Sequence, residues 1–203
     1  MAGWTFAQGK SAEQTLDDVT LAGATQIALA GADAIFAVGE RLFTSEADGS
    51  EAEHLGRVTA VDSAAVDFSL PLKKSKDSGA LIWRATTSIA LYAEESAPPR
   101  RRIATGVDVA RSLGGVVYAI RTAEPMTTLE WTLENLTPER EAALAAWLDA
   151  ATQGGLAPFT AVDPARTLSA VQLWDGAFAR LGERGGRRAM KFALLLLGEG
   201  EYR

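Results

Sequence analysis

The segment LTPEREAALAAWLDAATQGGLAPFTAVDP, residues 136–164, constrains the fold more than any other part of the chain. Thr137 is a preferred N-cap residue, and Pro138 occupies the first helical position, where its missing N–H costs nothing. The leucines, alanines and tryptophan that follow recur at helical spacing, and a double glycine ends the pattern. The segment therefore predicts a helix over residues 138–152, with one apolar stripe that packs on a sheet.

Strand-like sequence lies on both sides of this helix. In MTTLEWTL, residues 126–133, the apolar Leu129, Trp131 and Leu133 alternate with polar residues, which is the period of a strand with one buried face. RAMKFALLLLG, residues 188–198, is apolar at both alternating sets of positions and predicts a strand covered on both faces. We expect the helix and these strands to share one core that contains Trp131, Leu144, Trp147, Leu148, Phe159, Phe192 and Leu194.

The first half of the chain has a different pattern. Residues 17–93 alternate short β-like runs, such as AIFAVGERLFTS and ALIWRA, with turn signals. Asp48-Gly49 and Ser78-Gly79 supply the positive φ that tight connections need. This pattern predicts a small antiparallel β-barrel or sandwich.

A proline- and arginine-rich stretch, ESAPPRRRIATG, separates the two halves. Its composition favours an extended and exposed backbone. The sequence as a whole predicts an α+β, mainly β fold. We expect an N-terminal arm over residues 1–16, a small β domain over 17–93, a linker over 94–106, and a β-sandwich domain with one packed helix over 107–203.

Composition excludes several classes of function. The chain has no cysteine, which excludes disulfides, thiolate metal sites and a cysteine nucleophile. A net charge of −6 argues against general binding to nucleic-acid phosphates. The apolar runs are too short, or too interrupted by polar residues, to supply the about 20 residues that span a bilayer. No signal-peptide pattern is visible at the N-terminus.

The chemistry-bearing residues form no recognised motif. His54 is the one histidine, and we weigh a general base against an exposed strand-edge residue and favour the latter. The acidic run from Glu46 to Glu53, with Asp48 and Glu51 between, lacks the spacing of a calcium loop and is typical of a solvated hairpin tip. We therefore predict no catalytic, cofactor-binding or metal-binding residue, and no enzyme.

The five tryptophans divide into two groups. Trp131 and Trp147 lie on apolar stripes, which favours core packing. Trp4 lies in the predicted arm, where anchoring to a neighbouring surface and burial in the chain's own barrel are equally open.

The arginines of the linker are either a contact for an anion or a solvated segment. The candidate assembly-interface residues are Trp4, Phe6, Arg100, Arg101, Arg102 and Trp174.

The order of elements in the second half resembles a known family. Strand YAIRT, strand TTLEWTL, a helix ending LAAWLDAATQGG, strand LAPFTAVDP, strand AVQLW and a last strand KFALLLLGEGE resemble the distal tail proteins and lambda-type minor tail proteins of tailed bacteriophages. The resemblance covers roughly residues 107–201. The β region over residues 17–93 has no counterpart in the short lambda-type protein.

The resemblance implies a structural virion protein that forms an adaptor ring between the tail tube and the baseplate or tip. The implied partners are copies of the same chain, in a ring of six by resemblance, together with tube and baseplate or hub proteins. DNA would only pass through the lumen, and neither a membrane nor a cofactor is implied. The protein would be made in the bacterial host cytoplasm and reside in the tail of a phage or gene-transfer particle.

Two other classes of function remain open from the residues. One is a carbohydrate- or surface-binding β module that uses Trp4, Trp83 or Trp174. The other is a hydrolase whose site no motif reveals. If residues 1–16 are an arm, deletion of residues 1–14 leaves the melting temperature nearly unchanged and impairs assembly.

Overall fold

The computed structural model describes residues 3–92, 94–95, 98–104, 107–111, 117–121, 126–153, 157–184 and 186–199. Within these ranges the chain is mainly β, with an antiparallel sheet and two helices, which confirms the predicted fold class. The strands and helices, in chain order, are β1 (Thr5–Thr15), β2 (Gln26–Ala28), α1 (Ala32–Ile35), β3 (Arg41–Ser45), β4 (Glu53–Val61), β5 (Ala65–Phe68), β6 (Leu81–Ala90), β7 (Arg100–Ala104), β8 (Val107–Arg111), β9 (Val117–Arg121), β10 (Met126–Leu136), α2 (Pro138–Thr152), β11 (Phe159–Val162), β12 (Leu168–Arg184) and β13 (Arg187–Glu199).

One sheet runs through both halves of the chain. Its eleven described strands lie in the order β2-β5-β4-β3-β6-β1-β11-β12-β13-β10-β7. The strands from the first half therefore continue directly into those from the second half, and β1 lies at the join. A separate two-stranded sheet contains β8 and β9.

Strand β1 corrects the prediction of an N-terminal arm over residues 1–16. On one side Thr5 is opposite Ala90 of β6, and on the other side Thr5 is opposite Val162 of β11. Phe6 and Ala7 are fully buried, whereas the rest of the strand is mostly half-exposed. Residues 5–15 show no clear alternation of apolar and polar residues. Hydrogen bonds to two neighbouring strands, rather than a continuous apolar face, hold β1 in place.

Two large hydrophobic clusters lie on this sheet. The C-terminal core lies under α2, and the N-terminal core lies among β2, β3, β4, β5 and β6. Phe6 belongs to the C-terminal core and Leu16, directly after β1, belongs to the N-terminal core. A smaller cluster joins Ala7 and Phe43 to Leu168 of the second half. The two predicted domains thus share β1 and one sheet.

Helix α2 has the predicted bounds, Pro138–Thr152. Thr137 caps it, since its side chain accepts a hydrogen bond of 3.2 Å from the backbone N–H of Arg140. The helix ends at Gln153, which has φ of 49° and ψ of 51°, the left-handed conformation typical of a helix end. The double glycine that we expected to end the helix lies outside the described residues.

The seven residues expected in the core are all buried in the C-terminal core: Trp131, Leu144, Trp147, Leu148, Phe159, Phe192 and Leu194. The prediction for the last strand is only partly right. Met190, Phe192 and Leu194 face this core, but Lys191 is exposed and Leu197 is 49% exposed on the alternate positions. The outer face of β13 is therefore only half covered, because no layer of the described structure packs on it as α2 packs on the inner face.

Two other segments differ from their predictions. AIFAVG contains the end of the short helix α1 and a turn before β3, because a glycine and polar neighbours interrupt the β pattern there. Arg100–Ala104, in the predicted linker over residues 94–106, forms β7 and pairs with β10. Its arginines are exposed as expected, although the backbone is bound to a neighbouring strand.

Trp147→Ala is expected to lower the free energy of unfolding by about 3–5 kcal/mol, because the indole fills the space between α2 and the sheet. Its ring centroid is 5.4 Å from that of Phe159 and 6.1 Å from that of Phe6, and its Nε1 donates to Thr87 Oγ1 at 2.9 Å. Urea unfolding measures the change. Thr87→Val, which removes the acceptor alone, should cost less, about 1–3 kcal/mol. A loss below about 1 kcal/mol for Trp147→Ala would show that the stripe packs elsewhere.

Candidate functional site

Strand β7 is one edge of the described sheet and carries the arginine patch. Arg100, Arg101 and Arg102 are exposed, and the neighbouring Ile103 is 58% exposed. β7 ends the strand order, so its outer side has no neighbouring strand among the described residues. Arg102 Nη1 lies 3.6 Å from Glu130 Oε1 across the pair. Charged residues on an edge strand oppose indiscriminate strand addition.

Strands β8 and β9 form a ribbon beyond this edge pair. Val107 is opposite Arg121 and Arg111 is opposite Val117. β8 follows β7 in the chain, and β9 precedes β10. Because β7 and β10 pair with each other, the ribbon is the distal part of the hairpin that β7 and β10 begin. A two-stranded ribbon is marginally stable alone in water, whereas a third strand or a packed surface stabilises it. This geometry suits contact with another chain.

The aromatic interface candidates have different positions. Trp4 is half-buried against the C-terminal core, with its ring 5.2 Å from that of Trp131 and edge-on to it. Phe6 is fully buried and cannot offer its ring to a neighbouring subunit, which corrects the prediction for this residue. Trp174 lies in β12, but its side chain lies outside the described residues. Trp83 is fully buried in the smaller cluster with Ala7 and Phe43.

Glu53 is the centre of a buried ionic network. Its two carboxylate oxygens accept backbone N–H groups from Lys73 at 2.8 Å and Lys74 at 3.1 Å. Lys76 Nζ, which is fully buried, lies 3.4 Å from Glu53 Oε1, and Arg166 Nη2 lies 3.3 Å from Oε2. Arg166 follows β11, so the network connects the first half of the chain to the second.

This network corrects the prediction that the whole acidic run is a solvated hairpin tip. Asp48 and Glu51 are exposed as expected, and they lie in the turn between β3 and β4. Glu53 is only 6% exposed, and Glu46 Oε1 lies 3.6 Å from Lys76 Nζ. The physical reason is the buried lysine, which draws carboxylates inwards because a buried charge is stable only when it is paired.

Further polar contacts hold the two halves together. Arg166 Nη1 donates to the carbonyl oxygen of Pro71 at 2.7 Å, and the Lys73 ammonium donates to the carbonyl of Ala165. In α2, Arg140 Nε donates to Glu95 Oε1 at 2.9 Å. These contacts connect the two halves of the chain at the join.

The position of His54 corrects the prediction of an exposed strand-edge residue. His54 is 5% exposed, and its strand β4 has a neighbour on each side. Its ring centroid lies 4.9 Å from that of Phe43, and its Nε2 has no hydrogen-bond partner within the described structure. Burial, followed by the positive charges of Arg41 and Arg166, lowers the pKa of His54 from 6.5 to about 3. The imidazole is therefore neutral at neutral pH.

The free energy of unfolding is expected to fall as the pH decreases from about 6.5 towards about 3. In this window the unfolded chain binds a proton at His54 and the folded chain does not, which contributes at most about 1.4 kcal/mol per pH unit. Urea unfolding between about pH 4 and about pH 7 measures this slope. His54→Leu removes the titrating group and should flatten the slope by about one proton; equal slopes in the two proteins would contradict the buried, neutral histidine.

The part of the chain that the structure describes contains neither a metal site nor a membrane-spanning helix. No group of three or more His, Asp or Glu side chains there is arranged to hold a metal ion. Neither α1 nor α2 is long and apolar enough to cross a membrane. No protein-family model matches the chain, and no curated protein matches its sequence. We therefore infer the function from the geometry of the sheet edge.

Proposed function

We propose that this chain is a structural subunit of the tail of a phage or gene-transfer particle, where copies form an adaptor ring between the tail tube and the baseplate or tip. The observation that carries the proposal is the hairpin at the sheet edge, which continues past β7 and β10 into the ribbon of β8 and β9. The resemblance of residues 107–201 to distal tail proteins supports it. We assign the chain no bond-making step.

The ribbon supports assembly for an energetic reason. Five residues in each of two strands gain little stability from each other, and on this proposal a neighbouring subunit adds a further strand or surface to the ribbon. A contact in which the ribbon of one copy meets a different surface of the next copy is heterologous. Heterologous contacts close into rings when the rotation between subunits divides a full turn.

The charge distribution supports the same arrangement. The chain carries a net charge of −6, yet its edge strand presents Arg100, Arg101 and Arg102 to solvent. A basic edge on an acidic chain complements the acidic surface of another copy and steers their encounter. The remaining negative charge suits a lumen through which DNA passes without binding.

The alternative of a carbohydrate- or surface-binding module has less support. It requires exposed aromatic rings, on which sugars or bases stack. Trp83 is fully buried, and Trp4 packs edge-on against Trp131. The described side chains therefore provide no aromatic platform at the positions that this alternative named.

Replacement of residues 105–125 by Asn-Gly tests the role of the ribbon. Ala104 and Met126 are directly opposite in register, so a two-residue turn can close the β7–β10 hairpin without moving either strand. Size-exclusion chromatography with light scattering should show the unaltered protein assembling into one defined oligomer as its concentration rises. The shortened variant should stay monomeric and keep its melting temperature.

Leu21→Ser serves as the matched control, because Leu21 is an exposed apolar residue of the first half, 68% exposed. This variant should assemble as the unaltered protein does. Two outcomes reject the proposal: a shortened variant that assembles normally, or an unaltered protein that stays monomeric at every concentration.

A further inference from the structure

A cavity of about 310 Å³ lies where the two halves meet. The start of β1, strands β3 and β4, the end of β6 and the segment after β11 form its wall. Its charged and titratable lining residues are Arg41, His54, Arg57, Tyr92, Asp163 and Arg166. Its volume falls in the range of pockets that hold small organic ligands.

Arg41 and Arg57 make this cavity electropositive. They are directly opposite each other on β3 and β4, a placement of like charges that destabilises a strand pair. Within the described structure, Arg41 has no carboxylate at ion-pair distance and no hydrogen-bond acceptor. Burial, followed by the charge of Arg57, lowers the pKa of Arg41 to about 10, so that it stays charged at neutral pH.

The other charged groups around the cavity already have partners. Arg166 pairs with Glu53, and Arg57 Nη1 donates to the carbonyl oxygen of Gly39 at 3.2 Å. Asp163 Oδ1 accepts the backbone N–H of Thr167 at 2.7 Å. His54 adds a neutral wall residue whose Nε2 has no partner among the described residues. The lining therefore keeps an excess of positive charge, because Arg166 is balanced by Glu53 while Arg41 and Arg57 outnumber Asp163.

Apolar side chains complete the wall, among them Leu70, Leu91 and Val162. An apolar wall beside a guanidinium fork fits a molecule with an organic body and one carboxylate or phosphate group, since arginine binds both groups through paired hydrogen bonds. We propose that this cavity is a binding site for a small organic anion, held by Arg41 with support from Arg57.

Isothermal titration calorimetry with benzoate, phenyl phosphate and neutral benzyl alcohol tests the proposal. At least one of the two anions should bind saturably at one site per chain. Benzyl alcohol should bind at least about tenfold more weakly, because it lacks the charge. The tighter of the two anions identifies carboxylate or phosphate as the preferred group. Absence of saturable binding by both anions at millimolar concentrations overturns the proposal.

Variants assign the binding to Arg41. Arg41→Gln should weaken anion binding by about tenfold or more, and it should fold normally because it relieves the repulsion with Arg57. Arg57→Gln, at an exposed position, gives a second test and should also weaken binding. Arg100→Gln removes the same charge from the exposed edge strand and should change the Kd by less than about twofold. Equal weakening by Arg100→Gln and Arg41→Gln overturns the site, since general surface charge would then explain the binding.

Discussion

Deletion of residues 1–14 is expected to abolish cooperative folding, because it removes a strand from the interior of the sheet. β1 is hydrogen-bonded to β6 along one side and to β11 along the other. Its loss leaves two unpaired strand edges and empties the position of Phe6, whose ring lies within 6.1 Å of the rings of Trp131, Trp147, Phe159 and Phe192. Thermal unfolding monitored by circular dichroism should show no cooperative transition.

Phe6→Ala gives a graded form of the same test. The substitution should lower the free energy of unfolding by about 3–5 kcal/mol, a large part of the about 5–15 kcal/mol that a domain typically has. Glu13→Ala, on the same strand with a side chain 44% exposed, should change it by less than about 0.5 kcal/mol. A deletion variant that keeps its melting temperature would show that residues 1–16 are an arm after all.

Glu53→Ala is expected to lower the free energy of unfolding by about 3–5 kcal/mol, because it leaves the buried ammonium of Lys76 and the guanidinium of Arg166 without their shared carboxylate. It also leaves the backbone N–H groups of Lys73 and Lys74 without their acceptor. Urea unfolding at neutral pH measures the loss. Glu51→Ala, at an exposed carboxylate in the adjoining turn that lies 4.0 Å from the Lys76 ammonium, should cost much less than Glu53→Ala.

Replacing both partners of the ion pair measures its net contribution to the free energy of unfolding, apart from the cost of leaving one buried charge unpaired. Glu53→Leu combined with Lys76→Met removes the carboxylate together with the fully buried ammonium, and Arg166 keeps its hydrogen bond to the carbonyl oxygen of Pro71. The double variant should therefore be more stable than Glu53→Ala alone. A Glu53→Ala variant that loses no more stability than Glu51→Ala would mean that Glu46 and the carbonyl oxygen of Glu51, rather than Glu53, hold the buried lysine.

The sequence predicts elements whose signals are local. Thr137 and Pro138 predict the start of α2, since capping depends on neighbouring residues. The alternation around Trp131 predicts a strand with one buried face, and Trp131 is fully buried while its neighbour Thr132 is exposed. Gly49 has the positive φ, 83°, that its Asp-Gly turn requires.

Features that depend on distant residues do not show in the sequence. β1 is held by strands that begin at residues 81 and 159, and its own pattern resembles a polar arm. Lys76 and Arg166 give no sign of their shared partner Glu53, because the contact forms only when the sheet brings the two halves together. The burial of His54 likewise follows from neighbours on both sides of β4.

The candidate assembly site was partly visible in the sequence. The arginines at 100–102 are conspicuous as a cluster, and their exposure follows from charge alone. Their place on an edge strand was not visible, because the paired prolines before them are typical of a linker. The sequence does not predict the ribbon as a unit, since two short strands that pair with each other have the same local pattern as strands of a larger sheet.

Electron microscopy of the concentrated, unaltered protein tests the proposed role in tail assembly most directly. The account predicts closed rings of one diameter, with a central opening wide enough for duplex DNA, and no rings from the variant that lacks residues 105–125. Single subunits alone, or open filaments without closure, would contradict it.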